Sequence, residues 1–174
     1  GCRGHAVLPY DQHLALLPAY LQQLDMESNG KRVGRDGQAV ETATAPLVFG
    51  APGSDGQHAF HQLLHQGPEM VPSDFIAAAE NPFSVGDHHA LLLANCLAQS
   101  AALMLGREEG EVRRRFTGSG LAPGALEVLV PHRTFPGNRP SNTLLARRFD
   151  ARTLGLLIAL YEHKIFVQGV IWGI

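Results

Sequence analysis

The stretch Gln22-Gln23-Leu24-Asp25-Met26-Glu27-Ser28-Asn29-Gly30-Lys31 marks the point where regular structure gives way to a turn. Upstream of it, Leu14, Leu17, Leu21 and Leu24 recur at helical spacing, which predicts an amphipathic helix. Pro18 removes the bond to the Leu14 carbonyl, so it predicts either a kink or a helix that begins near Pro18. Downstream, residues 32–45 are polar and carry Gly34 and Gly37, the composition of a β-ribbon or an ordered loop. The apolar run Ala6–Tyr10 reads as a buried strand before the helix, with Asp11 placed to cap it. Pro46–Gly50 reads as the next strand.

The same alternation continues along the chain. Ser54 or Asp55 can cap a helix that buries Phe60, Leu63 and Leu64 and stops at Gly67. Met70–Ile76 reads as a strand, with Pro72 as an irregularity or an edge. Asp87 opens a long helix through Leu91, Leu92, Leu93, Cys96, Leu97, Ala101 and Met104 to Gly106. Glu108 and Glu109 open a shorter one that ends in Arg113, Arg114 and Arg115, acid first and base last as the helix dipole favours. Residues 131–140 read as a Pro/Gly loop, Thr143–Phe149 as a strand, and Asp150 as the cap of a helix through Leu154, Leu157, Ile158 and Tyr161. Strands alternating with helices predict βαβ units, and hence an α/β fold with a mainly parallel sheet covered on both faces. No repeat or linker divides residues 1–174, which read as one domain, incomplete at both ends because the chain lacks an initial Met and finishes in the apolar run Ile165–Ile174.

Composition narrows the function classes. Hydrophobic residues make up 45% and charged residues 17%, enough for a packed core. A net charge of -2 gives no reason to expect nucleic acid or an anionic membrane surface. The Arg113–Arg115 run is then a solvated helix end. No signal peptide and no uninterrupted apolar stretch of membrane-spanning length is present. Two cysteines, Cys2 and Cys96, make no disulfide framework, and a reducing, cytoplasmic setting fits.

Two residues stand out chemically. Glu27 lies at a helix end, where a carboxylate can shuttle a proton if desolvation raises its pKa; Lys31 would pull the other way. A solvated residue or a cap is the plainer reading of Glu27. His58 is placed in the first turn of its helix, where the dipole favours a neutral imidazole able to relay a proton. Gly53 and Gly56 leave room for the backbone to approach a ligand beside it. His58, His61 and His65 share a helical face, and His88-His89 are adjacent, but no HExxH motif, thiolate pair or matched carboxylate makes these a metal site. No GxSxG, GxGxxG or Walker A motif occurs.

Longer motifs carry more. Leu8-Pro9-Tyr10-Asp11-Gln12, Asp25–Lys31, Gly53–Phe60, His65-Gln66-Gly67, Phe135–Pro140 and Tyr161–Gly169 occur in an order that resembles the glucose-6-phosphate isomerase family, over almost the whole chain. The resemblance implies part of the later sugar-isomerase (SIS) domain, a three-layer α/β/α sandwich. It implies interconversion of glucose 6-phosphate and fructose 6-phosphate through a cis-enediol, without metal or cofactor. In that reading Glu27 is the base that carries the proton between C1 and C2, His58 assists ring opening and reaches the other subunit's site in a homodimer, and Gln23 contacts the sugar phosphate. The family's phosphate cradle, a site arginine and a catalytic lysine fall outside these 174 residues, so the resemblance also implies that the chain alone is inactive or nearly so. Ala51, where many relatives carry Glu, and Pro18 depart from the family pattern. The alternative from another class is a sugar-phosphate-binding module of the same fold without catalysis.

Overall fold

A computed structural model describes residues 2–174. Its centre is two strands buried on both faces, β1 (Gly4–Pro9) and β3 (Ser73–Ala78). Flanking them are β2 (Leu47–Gly50) and β4 (Ser141–Ala146), in the order β2-β1-β3-β4, all parallel. Gly4 pairs with Leu47, Ala6 with Ser73, and Ser73 with Ser141, so the strands start nearly level. Parallel neighbours require crossovers, and the helices supply them on both sides.

Side-chain alternation sorts the core into two layers. Ala6, Leu8, Phe75 and Ala77 face one way and pack with Leu64, Cys96 and Leu103 from α3 (His61–Gln66) and α4 (His88–Leu105). Val7 and Ile76 face the other way and pack with Leu17 and Leu21 from α1 (Leu17–Leu21) and Leu157 and Tyr161 from α7 (Ala151–Trp172). The expected three-layer α/β/α architecture is what forms. Two further helices, α5 (Glu109–Phe116) and α6 (Pro123–Arg133), are joined by a two-pronged contact from the Arg113 guanidinium to the Glu127 carboxylate.

Several local expectations need correction. The chain enters α1 through a 3-10 turn, Gln12–Leu14, capped by the Asp11 carboxylate accepting from the His13 N–H at 2.9 Å. Pro18 sits in the first turn of α1, where its missing N–H leaves no bond unmade, so the second of its two readings holds. Residues 134–140 are the expected loop, but Pro131 lies inside α6, near its end, and the sequence reading had no helix there. β3 and β4 each lie a few residues from their expected frames. The polar stretch is ribbon-like: Val33 bridges Ala39 antiparallel, and the Val40 N–H donates to the Arg32 carbonyl. Asp150 caps α7 as expected, accepting from the Thr153 N–H at 2.9 Å.

By length and composition alone α4 and α7 could each cross a membrane, with mean hydropathy of 1.2 and 1.4. Here each lies along one face of the sheet, burying Cys96 and Leu103 in one case and Leu157, Tyr161 and Ile165 in the other. Each also leaves large apolar side chains exposed, Leu91 and Leu105 on α4 and Leu156 and Ile171 on α7 among them.

Candidate functional site

The helix that begins at Leu17 does not stay α. From Gln22 to Glu27 it widens into a π-turn, a rare geometry found disproportionately at functional sites. Both Gln23 and Glu27 lie on this turn and are exposed. Lys31 does not neutralise Glu27. Its ammonium donates to the main-chain carbonyls of Glu27 and Ser28, at 2.9 and 2.6 Å, closing the helix where cations suit the dipole. No ion pair links the Lys31 and Glu27 side chains among the described residues.

The opposite side of the π-turn is tied down. Asp25 points inward and is 2% exposed. Its Oδ2 lies 3.7 Å from Lys164 Nζ on α7, and its Oδ1 has no hydrogen-bond partner. Burial pushes the Asp25 carboxyl above its ordinary pKa, and Lys164 with His5 opposes that. Gln22 donates to the Val48 carbonyl at 3.0 Å, and Asn29 donates to the Ile165 carbonyl at 3.0 Å. Lys164 continues into a second polar group. Its Nζ is 3.3 Å from His5 Nδ1, and His5 Nε2 is 2.8 Å from Asp74 Oδ2. An imidazole that accepts from the ammonium at Nδ1 carries its proton at Nε2 and donates it to Asp74. Tyr161 donates its hydroxyl to the same Asp74 oxygen at 2.9 Å, and Asn142 donates to the other at 2.9 Å. Burial alone would raise the Asp74 pKa; the His5 bond, with those from Asn142 and Tyr161, outweighs it and holds the carboxyl below its ordinary value.

His58 is elsewhere. It follows β2 in the short helix α2 (Gly53–Ala59), is exposed, and lies in the last turn, not the first. The helix breaks at Phe60, whose φ of -141° ends it before α3 begins. The dipole argument made for His58 therefore lapses, because it rested on a place in the first turn. Gly53 and Gly56 are not open to a ligand either. A Cβ on Gly53 would fall 2.3 Å from the Tyr10 ring, and one on Gly56 would fall 2.9 Å from Phe60, so the protein's own rings fill that room. Neither Ser54 nor Asp55 caps the helix.

The two expected partners do not meet within this chain. The π-turn belongs to the layer with α1 and α7, and α2 leads into α3 in the layer on the opposite face. No hydrogen bond joins Glu27 to His58 among the described residues. Nor does either residue, or Gln23, line the two cavities described. A cavity of about 1470 Å³ opens at the amino ends of the strands, against His5, Asp74, Tyr161 and Lys164. Another of about 390 Å³ lies by Ser28, Asn29 and Ile165.

The break at Phe60 also disperses the histidine face. His61 turns into the core at 4% exposure, His65 bonds Gln99 at 2.9 Å, and His58 stays outside. No three His, Cys, Asp or Glu side chains are grouped for a metal among the described residues. Both ring nitrogens of His61 lack a hydrogen-bond partner. Burial lowers its pKa from 6.5; the nearby Gly56 backbone opposes this in part, and His65 adds a smaller push down. The unfolded chain therefore takes up this proton first, so the stability held above about pH 6.5 is lost progressively in acid. His61→Phe is expected to flatten that loss, measured as the change in urea midpoint between about pH 7.5 and pH 5.5. An unaltered slope would show that His61 does not contribute.

Sequence reasoning missed His5, Asp74 and Lys164 as one group. A signal existed in part, since Asp74 is a carboxylate inside an apolar strand run.

The family described as phosphoglucose isomerase matches residues 1–174. The chain is 58% identical over its whole length to a glucose-6-phosphate isomerase of Methylococcus capsulatus, of which it covers 32%. To that of Pseudomonas putida it is 54% identical, covering 31%. The chain thus spans about a third of the length of the curated relatives it matches. Among solved structures, the crystal structure of a glucose-6-phosphate isomerase from Chlamydia trachomatis superposes on the entire chain with a TM-score of 0.82 at 37% identity, the chain covering 31% of it. A hypothetical protein from Thermus thermophilus, at 21% identity and a TM-score of 0.61, shares the fold.

Proposed function

The chain belongs to the phosphoglucose isomerase family, and on that premise we propose that the complete gene product interconverts D-glucose 6-phosphate and D-fructose 6-phosphate as an aldose–ketose isomerase. The observation that carries this reading is the presentation of Glu27 and Gln23, exposed, on a π-turn whose other side is anchored to α7 and β2. A carboxylate held this way can take a proton from one carbon of an open-chain sugar and return it to the next. The intermediate between the two transfers is a cis-enediol. One base serves both steps, and acid–base help of this kind is worth about 10²–10⁴-fold. Gln23 would contact the sugar phosphate beside it.

His58 would assist ring opening. Its place on the opposite face of the sheet from Glu27 supports the reading that it serves the site of a second copy in a homodimer. The unpaired thiols of Cys2 and Cys96 fit a cytoplasmic setting.

The test is a coupled assay of fructose 6-phosphate turnover by the complete gene product and by the 174-residue chain. Turnover is expected from the first and none above background from the second, because the chain spans about a third of the length of the isomerases it matches. Binding without turnover by the complete product would favour a non-catalytic sugar-phosphate module instead.

A further inference from the structure

We propose that the contact between the buried Asp25 and the half-buried Lys164 is a positioning device: it fixes the π-turn and thereby the direction in which Glu27 is held. The proposal rests on Glu27 being the proton-carrying base. Asp25 and Glu27 are two residues apart, so they project from different sides of the turn. Asp25 goes into the core and Glu27 into solvent, and the rotation of the turn about its axis sets both at once.

A π-turn needs such a hold. Its i→i+5 bonds are seldom formed without tertiary support, and relaxation to α geometry would turn every side chain beyond it. Three polar side chains in and just after this segment reach to its surroundings. Gln22 and Asn29 do so by neutral hydrogen bonds to carbonyls, and Asp25 does so by charge. The charged contact is an expensive choice for stability. Asp25 is almost fully buried, one oxygen is unpartnered, and the ammonium is 3.7 Å from the other. An ion pair of this quality, with the carboxylate buried and the ammonium half-buried, contributes little to folding, and the best-attested use of such pairs is to impose one register over others. Lys164 is itself fixed from behind by His5, which Asp74 orients. The turn is thus referred to the central strands β1 and β3 and not only to the helix beside it.

The experiment uses the complete gene product with Asp25→Asn and Lys164→Met, assayed on fructose 6-phosphate in D2O. Glu27 takes a proton from one carbon, holds it as a carboxylic acid, and returns it to the adjacent carbon unless the acid first exchanges with solvent. The fraction of hydrogen retained in the product is a property of each active molecule, so fewer folded molecules leave it unchanged. A base displaced by about 1 Å can lose up to about 10²-fold in rate. We expect kcat to fall about tenfold or more in both variants, with the retained fraction lowered. Lys164→Arg, which keeps the charge, is expected to keep the retained fraction close to that of wild type. Folded D25N and K164M with wild-type retention would overturn the proposal. So would failure of both to fold while K164R behaves as wild type, since the pair would then hold the fold and not the base. The parent reading fails separately: a Glu27→Gln variant of normal rate removes Glu27 as the base, whereas an inactive Glu27→Gln beside unaltered retention in D25N and K164M removes only the positioning role.

Discussion

Replacing Glu27 by Gln in the complete gene product is expected to lower kcat for fructose 6-phosphate by about two orders of magnitude or more. Gln keeps the size and planarity of the side chain and removes only its ability to accept a proton. Glu27 is exposed and its carboxylate has no ion-pair partner among the described residues, so the substitution leaves no buried group unpaired. Folding should be unaffected, which circular dichroism and the urea midpoint would check. A base used in both proton transfers affects kcat and kcat/KM alike, while a residue that only binds sugar would raise KM. A rate within a few fold of wild type would place the base elsewhere and leave Glu27 as a solvated helix end.

The largest stability effect should come from Asp74→Ala. This carboxylate accepts from His5 Nε2, the Tyr161 hydroxyl and Asn142 Nδ2, joining β1, β4 and α7 to β3. Truncation leaves three donors without their acceptor in a site where Asp74 is 6% exposed. It also removes the anion that offsets Lys164 through His5. Leaving a buried donor without its acceptor costs about 1–3 kcal/mol per group, which should appear as a large fall in the urea midpoint. The carboxyl's folded pKa is held below its ordinary value of 3.8. Its contribution is therefore present above that value and disappears as the pH falls through the folded pKa. Wild type and variant should converge in strong acid. Equal midpoints at neutral pH would mean that solvent from the adjoining cavity satisfies the donors.

The architecture was legible because its signals are periodic. Val7, Leu8, Phe75 and Ile76 are apolar in succession, as strands buried on both faces must be, and the helical spacing of Leu14, Leu17, Leu21 and Leu24 is unambiguous. Glu27 was legible as a carboxylate at a helix end. Its π geometry was not, since backbone widening depends on tertiary anchors at Val48 and on α7. The break at Phe60 was missed because an unbroken helical pattern crosses it; what ends the helix is the packing of Phe60 against Phe49 at 5.3 Å, over a glycine that makes room for the ring. That break moved His58 from a first turn to a last one and removed the ground for the dipole argument about it. Helix α6 was missed because Pro131 near its end reads as a breaker, although a proline so close to a helix C-terminus forfeits only one bond. The polar group of His5, Asp74 and Lys164 escaped notice because its members are separated by 69 and 159 positions along the chain.

Those separations matter on the ribosome. The Asn29 amide finds its acceptor 136 positions further on. At translation rates of about 5–20 residues per second, the interval is roughly 7–30 seconds. Throughout it the segment bearing Glu27 has its strands and its own leucines, but not the helix that locks it. A nascent chain paused before residue 161 would therefore hold a formed β1 and an unsettled π-turn. Glu27 is among the last parts of the chain to acquire its final orientation, whatever order the core assembles in.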